Sequence, residues 1–167
     1  MLVPANSILQ GTIDLSLSCR LHLSVSHEGF LNHGDEAGGF AIWNRRWCVL
    51  KGHTLMFWNY PREQETKEPL TIVELINCVS KRIGTADRTI CAKPRTLLIE
   101  TVRRKSATDR NSMIVECRSS CTIVRNLLSC DSVHELMEWS TKLNHVIFAL
   151  REWNVIGART QPQVSDL

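Results

Sequence analysis

The stretch IWNRRWCVLKG, residues 42 to 52, places two arginines between two tryptophans and then becomes apolar. Successive side chains of a β-strand point to opposite faces of the sheet. Arg45 would therefore share one face with both tryptophans, whereas Arg46 would share the other with Cys48 and Leu50. The pattern predicts a strand on which the two arginines have different roles, with Arg46 facing inward and Arg45 facing outward.

The composition is that of a globular domain with mild positive charge. The chain has 167 residues, a formal net charge of +3 and 22% charged residues, so it is long enough to bury one solid core. The charge permits an anionic partner but falls short of the strongly basic surface of nucleic-acid-binding domains, so we expect no nucleic acid. Because the sequence also lacks a long apolar span and a secretory signal, we expect a cytoplasmic chain.

The seven cysteines stand singly in apolar or strand-like sequence, with neither a CxxC pair nor the cysteine and histidine spacing of a zinc site. Their odd number predicts free thiols in a reducing compartment and no intrachain disulfide. The sequence also lacks the GxSxG, P-loop and HExxH motifs. We therefore predict no catalytic residues, no metal and no cofactor.

The sequence before residue 42 predicts strand structure and a loop. Alternate residues from 13 to 25 are apolar, which predicts a long amphipathic strand. A short linker and a short strand at residues 29 to 33 follow. The glycines and acids of residues 35 to 41 then predict a loop.

Short apolar, β-branched runs separated by polar loops follow. Residues 41 to 50 and 54 to 60 predict a hairpin that turns at Gly52 and His53. Further candidate strands lie in LTIVELINCVS (70 to 80), RTLLIETV (95 to 102), SMIVEC (112 to 117) and CTIVRNLLS (121 to 129). The sequence thus predicts at least six or seven strands before any helix.

One amphipathic helix comes last. Ser132 followed by Glu135 is typical of a capping box at a helix start. Apolar residues then recur every three or four positions for about twenty residues, which predicts a single packed stripe. Trp139 and Leu143 lie in this stripe and are predicted core residues. The polar residues after Ile156 predict a flexible tail.

This order of elements resembles the pleckstrin homology (PH) domain, and several motifs agree with it. GFL (29 to 31), RRWCVL (45 to 50) and LMFWNYP (55 to 61) are similar to the first three strands of that family, and ELMEWSTKL (135 to 143) is similar to its closing helix. The resemblance implies a mainly β fold, with a seven-stranded antiparallel barrel or sandwich capped by one C-terminal amphipathic helix.

Within that family the chain resembles the anillins. The resemblance rests on W-x-R-R-W-C-V-L at 43 to 50, on TVR at 101 to 103 and on the long insert before residue 121. It also rests on Asn77, Cys78, Ser80, Ile83, Ala86, Arg88, Cys91 and Ala92. It implies that residues 1–28 form an extension holding the last strand of a preceding C2-like domain, residues 29–155 the PH domain, and residues 156–167 a flexible tail.

The resemblance also implies a lipid site at the open end of the barrel, where inward-facing bases meet headgroup phosphates. Arg46 is the leading candidate there, since its guanidinium can bind phosphate bidentately. For Arg45 we favour a stacked or exposed structural role, with membrane contact at the rim as the alternative. His33 and Asn44 stand where strong lipid binders of the family carry bases, so no high-affinity 3-phosphoinositide pocket is expected. His33 is mostly neutral at pH 7, and a polar surface histidine is its alternative.

The remaining basic residues predict dispersed attraction to an anionic membrane, at about 1 kcal/mol each and screened by salt. The predicted headgroup-binding residues are Arg46, Arg45, Lys51, His33, Lys81, Arg82, Arg103, Arg104 and Lys105. For the Arg103 to Lys105 run, a merely solvated charge cluster is the alternative.

The anillin resemblance implies a non-catalytic, membrane-targeting module of a cytokinesis scaffold. Its expected ligand is phosphatidylinositol 4,5-bisphosphate, and its expected protein partner is septin, with actin and myosin reached only through the rest of the full-length protein. The expected location is the cell cortex, at the cleavage furrow and contractile ring of the cytoskeleton. The alternative is a protein-interaction domain with little or no lipid binding.

Overall fold

Eight strands and one long helix form the part of the chain that a computed structural model describes, residues 23–37 and 39–159. The strands are β1 (Ser26–Ala37), β2 (Phe40–Lys51), β3 (Thr54–Trp58), β4 (Thr71–Glu74), β5 (Gly84–Thr85), β6 (Thr96–Arg104), β7 (Val115–Cys117) and β8 (Cys121–Ser129). The helix is α1 (Val133–Arg159), and two short 3-10 turns lie at Pro61–Glu63 and Leu75–Asn77.

All eight strands belong to one antiparallel sheet. Its order is β4-β3-β2-β1-β8-β6-β5, and β7 pairs with β8 along the same edge as β1. In the described residues β4 and β5 end this order without pairing to each other, so the sheet is open. The mainly β class with a C-terminal helix is confirmed. The eighth strand comes from the two-residue pairing of β5, which is too short to leave a periodic pattern in the sequence.

The hairpin of β1 and β2 is longer than the sequence predicted. Its register runs without interruption from Ser26 opposite Lys51 to Ala37 opposite Phe40. The predicted loop at residues 35 to 41 is therefore wrong, and most of it is strand with a tight turn at Gly39, whose φ is 82°. The acids that suggested a loop are satisfied, since Asp35 accepts a hydrogen bond from Asn44 at 3.0 Å and Glu36 accepts one from the amide of Met113 at 3.1 Å.

Helix α1 covers one end of the sheet, and its start follows the predicted capping box. The Glu135 amide donates to the Ser132 hydroxyl at 3.1 Å, and the Ser132 amide donates to the Glu135 carboxylate at 3.2 Å. Trp139 and Leu143 are buried in the core with residues of the strands. The Trp139 ring packs edge-on against His27, with ring centroids 4.5 Å apart.

The two ends of the chain are only partly described. Most of the predicted strand at residues 13 to 25 lies outside the described residues, but Leu23 and Val25 pack against the core. The helix continues to Arg159, three residues past Ile156, and the rest of the predicted tail lies outside the described residues. The six described cysteines are free thiols. None of the described helices combines the length and the hydropathy needed to cross a membrane.

Candidate anion-binding surfaces

Arg46 lies on the inner face of β2, at the end of the sheet away from the β2–β3 turn. It is paired with Leu31, whose side chain is fully buried, so both side chains are on the core side. The half-buried guanidinium of Arg46 donates to the side-chain oxygen of Asn59, directly after β3. It forms no ion pair with any carboxylate of the described residues. Arg46 thus keeps its charge available for an anionic ligand.

His33 is a neighbour of Arg46 on this inner face and is buried, with 6% of its surface exposed. Its ring lies 4.8 Å from that of Phe57, and its Nδ1 lies 3.6 Å from a carboxylate oxygen of Asp35. Burial lowers the pKa of His33, and the charge of Arg46 lowers it further, while Asp35 partly opposes both effects. The surface-histidine alternative is therefore wrong, and His33 is neutral at pH 7.

This burial has a consequence for stability at low pH. The folded pKa of His33 lies below its usual 6.5, so the unfolded chain binds more protons between these two values. We expect the His33 contribution to the unfolding free energy to fall as pH drops from 6.5 through the folded pKa. Urea unfolding across this range measures it. His33→Gln should reduce the slope of the unfolding free energy plotted against pH. The exposed control His134→Gln should leave that slope unchanged. If this slope is unchanged in His33→Gln, His33 does not have a lowered pKa in the folded protein.

Arg45 lies on the opposite, outer face and is already paired. Its guanidinium forms an ion pair with Asp131 and lies 5.0 Å above the ring of Phe30. Asn32, directly across the ladder, also donates to Asp131, at 2.9 Å. The arginine hydrogen bond, followed by smaller contributions, lowers the pKa of Asp131. These contacts support the stacked, structural role predicted for Arg45.

Three other predicted ligands lie in separate places. Lys51 is at the other end of β2, five residues from Arg46, or roughly 17 Å at ~3.3 Å per residue. Lys81 and Arg82 lie in the loop before β5, where the Lys81 carbonyl accepts a hydrogen bond from Arg151 of helix α1. These residues do not form one pocket with Arg46.

The Arg103 to Lys105 run is partly structural. Arg103 makes a bidentate ion pair with Asp109, at 2.6 and 2.8 Å. This pairing, together with hydrogen bonds from the Ser106 amide and the Thr122 hydroxyl, holds the pKa of Asp109 well below its usual range. Arg104 is exposed, and Lys105 donates to the Arg118 carbonyl at 3.2 Å. A solvated cluster therefore describes Arg104 but not Arg103, which holds the loop together.

A second basic surface was not among the predicted sites. Residues 85 to 96, between β5 and β6, form an open groove of about 470 Å³. Its lining includes Arg88, Lys93 and Arg95 and one acid, Asp87. The sequence TADRTICAKPRT, residues 85 to 96, contains three bases and one acid. Counting charged residues within this segment could have predicted the basic groove.

Comparison with known proteins identifies the family to which this chain belongs. The family model of the PH domain matches residues 25–148. Anillin of Xenopus laevis is 38% identical over 151 residues, which cover 90% of this chain and 14% of that protein. Anillin of Drosophila melanogaster is 38% identical over 147 residues, which cover 88% of this chain and 12% of that protein. The chain thus spans only a small part of the length of these relatives.

Solved PH domains share the fold at low sequence identity. The PH domain of human oxysterol binding protein-related protein 11 has a TM-score of 0.51 and 14% identity, over 87% of this chain and 94% of that one. That of ArhGAP27 has a TM-score of 0.50 and 17% identity, over 74% of this chain and 99% of that one. The family is one of non-catalytic modules, as expected. The chain therefore belongs to the PH domain family, and within that family its sequence is similar to the anillins.

Proposed function

We propose that this domain binds the phosphorylated headgroup of phosphatidylinositol 4,5-bisphosphate and so targets its protein to an anionic membrane. The observation that carries the proposal is Arg46, an inward-facing guanidinium with no carboxylate partner among the described residues. A guanidinium binds phosphate through two parallel hydrogen bonds, and partial burial strengthens such bonds. With His33 neutral beside it, we infer moderate affinity without strict selection among headgroups.

The hairpin beyond Arg46 supports contact with a membrane. Ile42 and Phe40 lie on the same face of β2 as Arg46, four and six residues before it and beyond Asn44, and they are 41% and 77% exposed. Exposed apolar side chains next to a binding site are typical of surfaces that contact a membrane or a protein. A basic residue with two exposed apolar residues farther along the same face suits the boundary between lipid headgroups and acyl chains.

The similarity to anillins supports a proposal for the role of this domain in the cell. We propose that the domain helps to recruit a cytokinesis scaffold, and with it septins, to the cortex at the cleavage furrow and contractile ring. The actin and myosin contacts would belong to parts of the protein outside this domain.

A protein-interaction function is the second candidate, because one sheet edge is suited to it. In the described residues strand β4 pairs only with β3, so its other edge is free. Leu70, Ile72 and Ile76 are exposed along this segment. An unpaired edge with apolar side chains is a typical site for strand addition by a partner.

Co-sedimentation with vesicles over a salt series separates the two candidates. We expect binding to phosphatidylcholine vesicles that contain phosphatidylinositol 4,5-bisphosphate, and a loss of about tenfold or more between low and physiological salt, because screening weakens each exposed charge. Vesicles of phosphatidylcholine alone are the control. Absence of binding at low salt would reject the lipid proposal and leave the β4 edge as the candidate site.

A further inference from the structure

We propose that Ser106, in the loop between β6 and β7, is a phosphorylation site for a protein kinase that selects basic residues before its target, and that the attached phosphate competes with Asp109 for Arg103. The sequence around this serine is RRKSATDRN, residues 103 to 111. Such a modification requires neither the headgroup site at Arg46 nor binding to a membrane.

The charges before Ser106 have the spacing that such a kinase recognises. Arg103 and Arg104 stand three and two residues before Ser106, and Lys105 stands directly before it. Kinases distinguish substrates by charge patterns around the target hydroxyl, and a carboxylate in the kinase groove can bind a guanidinium bidentately. The nearest acid in the sequence is Asp109, three residues after the serine, so the segment that would enter such a groove is entirely neutral or basic.

The Ser106 hydroxyl is accessible in the folded protein. Residues 103 to 108 are all exposed, and strand β6 ends at Arg104. Among the described residues, the hydroxyl contacts only Thr108, whose hydroxyl lies 3.0 Å away and whose amide donates to it at 3.4 Å. An exposed hydroxyl on a loop can enter the active site of an enzyme without unfolding of the sheet.

The two arginines before Ser106 differ in how available they are. Arg104 forms no ion pair with a carboxylate of the described residues. Arg103 is paired with Asp109, although 46% of its side chain is exposed. A kinase therefore finds Arg104 free, whereas it must separate Arg103 from Asp109 before it can bind that guanidinium.

The modification is a phosphoryl transfer from ATP. The Ser106 Oγ forms a bond to the γ-phosphorus, the bond from that phosphorus to the oxygen that bridges it to the β-phosphate breaks, and ADP leaves. The hydroxyl proton passes to the catalytic aspartate of the kinase. The phosphoserine then carries a charge of about −1.5 to −2 at pH 7.

The phosphate would be added next to the Asp109 carboxylate, which holds the loop together. One oxygen of that carboxylate accepts hydrogen bonds from the Ser106 amide at 2.8 Å and from the Thr122 hydroxyl of β8 at 2.7 Å. Like charges repel, and a phosphate carries more negative charge than a carboxylate while it can also bind a guanidinium bidentately. We therefore expect the phosphate to take Arg103 from Asp109 and to weaken the attachment of the loop to β8.

The test of the site is phosphorylation of the full chain by the catalytic subunit of cyclic-AMP-dependent protein kinase with Mg-ATP. Fragmentation mass spectrometry should locate the phosphate on Ser106, and Ser106→Ala should abolish its incorporation. Arg104→Gln should lower the initial rate about tenfold, as expected for the loss of a charge-assisted contact with the kinase. The control Arg110→Gln removes an exposed charge after the serine and should change the rate by less than about threefold.

Amide NMR tests the competition for Arg103. Asp109→Asn gives the position of the Thr122 amide signal when the ion pair is absent. Phosphorylation of the unmutated chain should move this signal toward that position.

Two results would overturn the proposal. Absence of phosphate from Ser106, or equal rates for Arg104→Gln and Arg110→Gln, would reject the site. A Thr122 signal that does not move on complete phosphorylation would show that the phosphate does not displace Asp109 from Arg103.

Discussion

Trp139→Ala is expected to lower the free energy of unfolding by about 3–5 kcal/mol, the usual cost of removing a buried aromatic side chain. The Trp139 side chain is 2% exposed and joins helix α1 to the start of β1. The ring also covers Gly29, where an added Cβ would lie 3.8 Å from two of its atoms. Its loss would leave a cavity that neighbouring strand residues cannot fill without moving the backbone.

Urea unfolding followed by circular dichroism measures this loss. Met137→Ala, two residues away on the exposed side of the same helix, is the matched control and should change stability by no more than about 0.5 kcal/mol. A loss below about 1 kcal/mol for Trp139→Ala would show that helix α1 is not anchored to the sheet by this residue.

Local sequence signals predicted the features that depend on neighbouring residues. The two-residue period of β2 placed Arg46 and Arg45 on opposite faces, as the ladder with β1 shows. The capping box at Ser132 and Glu135 depends on residues three apart, and both hydrogen bonds are present. Period and spacing are properties of a short segment, so the sequence contains them.

Features that depend on distant partners could not be predicted in this way. Asp131 pairs with Arg45 across 86 residues, and no local pattern connects the two. His33 is polar, and its burial follows from the packing of β1 against β8 and Phe57. Acidic residues suggested a loop at 35 to 41, but the Met113 amide, 77 residues from Glu36, provides a hydrogen-bond partner and the strands continue.

The sequence alone also could not predict which basic residues are unpaired in the folded protein. Counting charge along the chain selected the Arg103 to Lys105 run, but Asp109 neutralises Arg103 in the folded protein. The same counting passed over Arg88, Lys93 and Arg95, whose charges are spread over eight positions. Only the fold brings these three to one groove and leaves them without carboxylate partners among the described residues.

Arg46→Gln is expected to weaken binding to vesicles that contain phosphatidylinositol 4,5-bisphosphate by about tenfold to a hundredfold. A half-buried guanidinium that contacts phosphate contributes charge-assisted hydrogen bonds of about 1.5–3 kcal/mol, and ~1.4 kcal/mol corresponds to tenfold. The variant should stay folded, because Arg46 is not part of the buried core.

Two variants serve as matched controls for general electrostatics. Arg45→Gln removes one charge from the outer face of the same strand, and Arg104→Gln removes one from the exposed end of β6. Each should weaken binding by no more than about fivefold, because an exposed charge near an anionic membrane contributes ~1 kcal/mol that salt screens.

Co-sedimentation of Arg46→Gln, Arg45→Gln and Arg104→Gln with these vesicles at physiological salt is the most direct test of a headgroup site on the inner face of β2. If Arg46 contacts headgroup phosphate, we expect a loss of about tenfold or more for Arg46→Gln and a clearly smaller loss for the other two variants. Equal losses for all three variants, or a larger loss for Arg45→Gln, would contradict it.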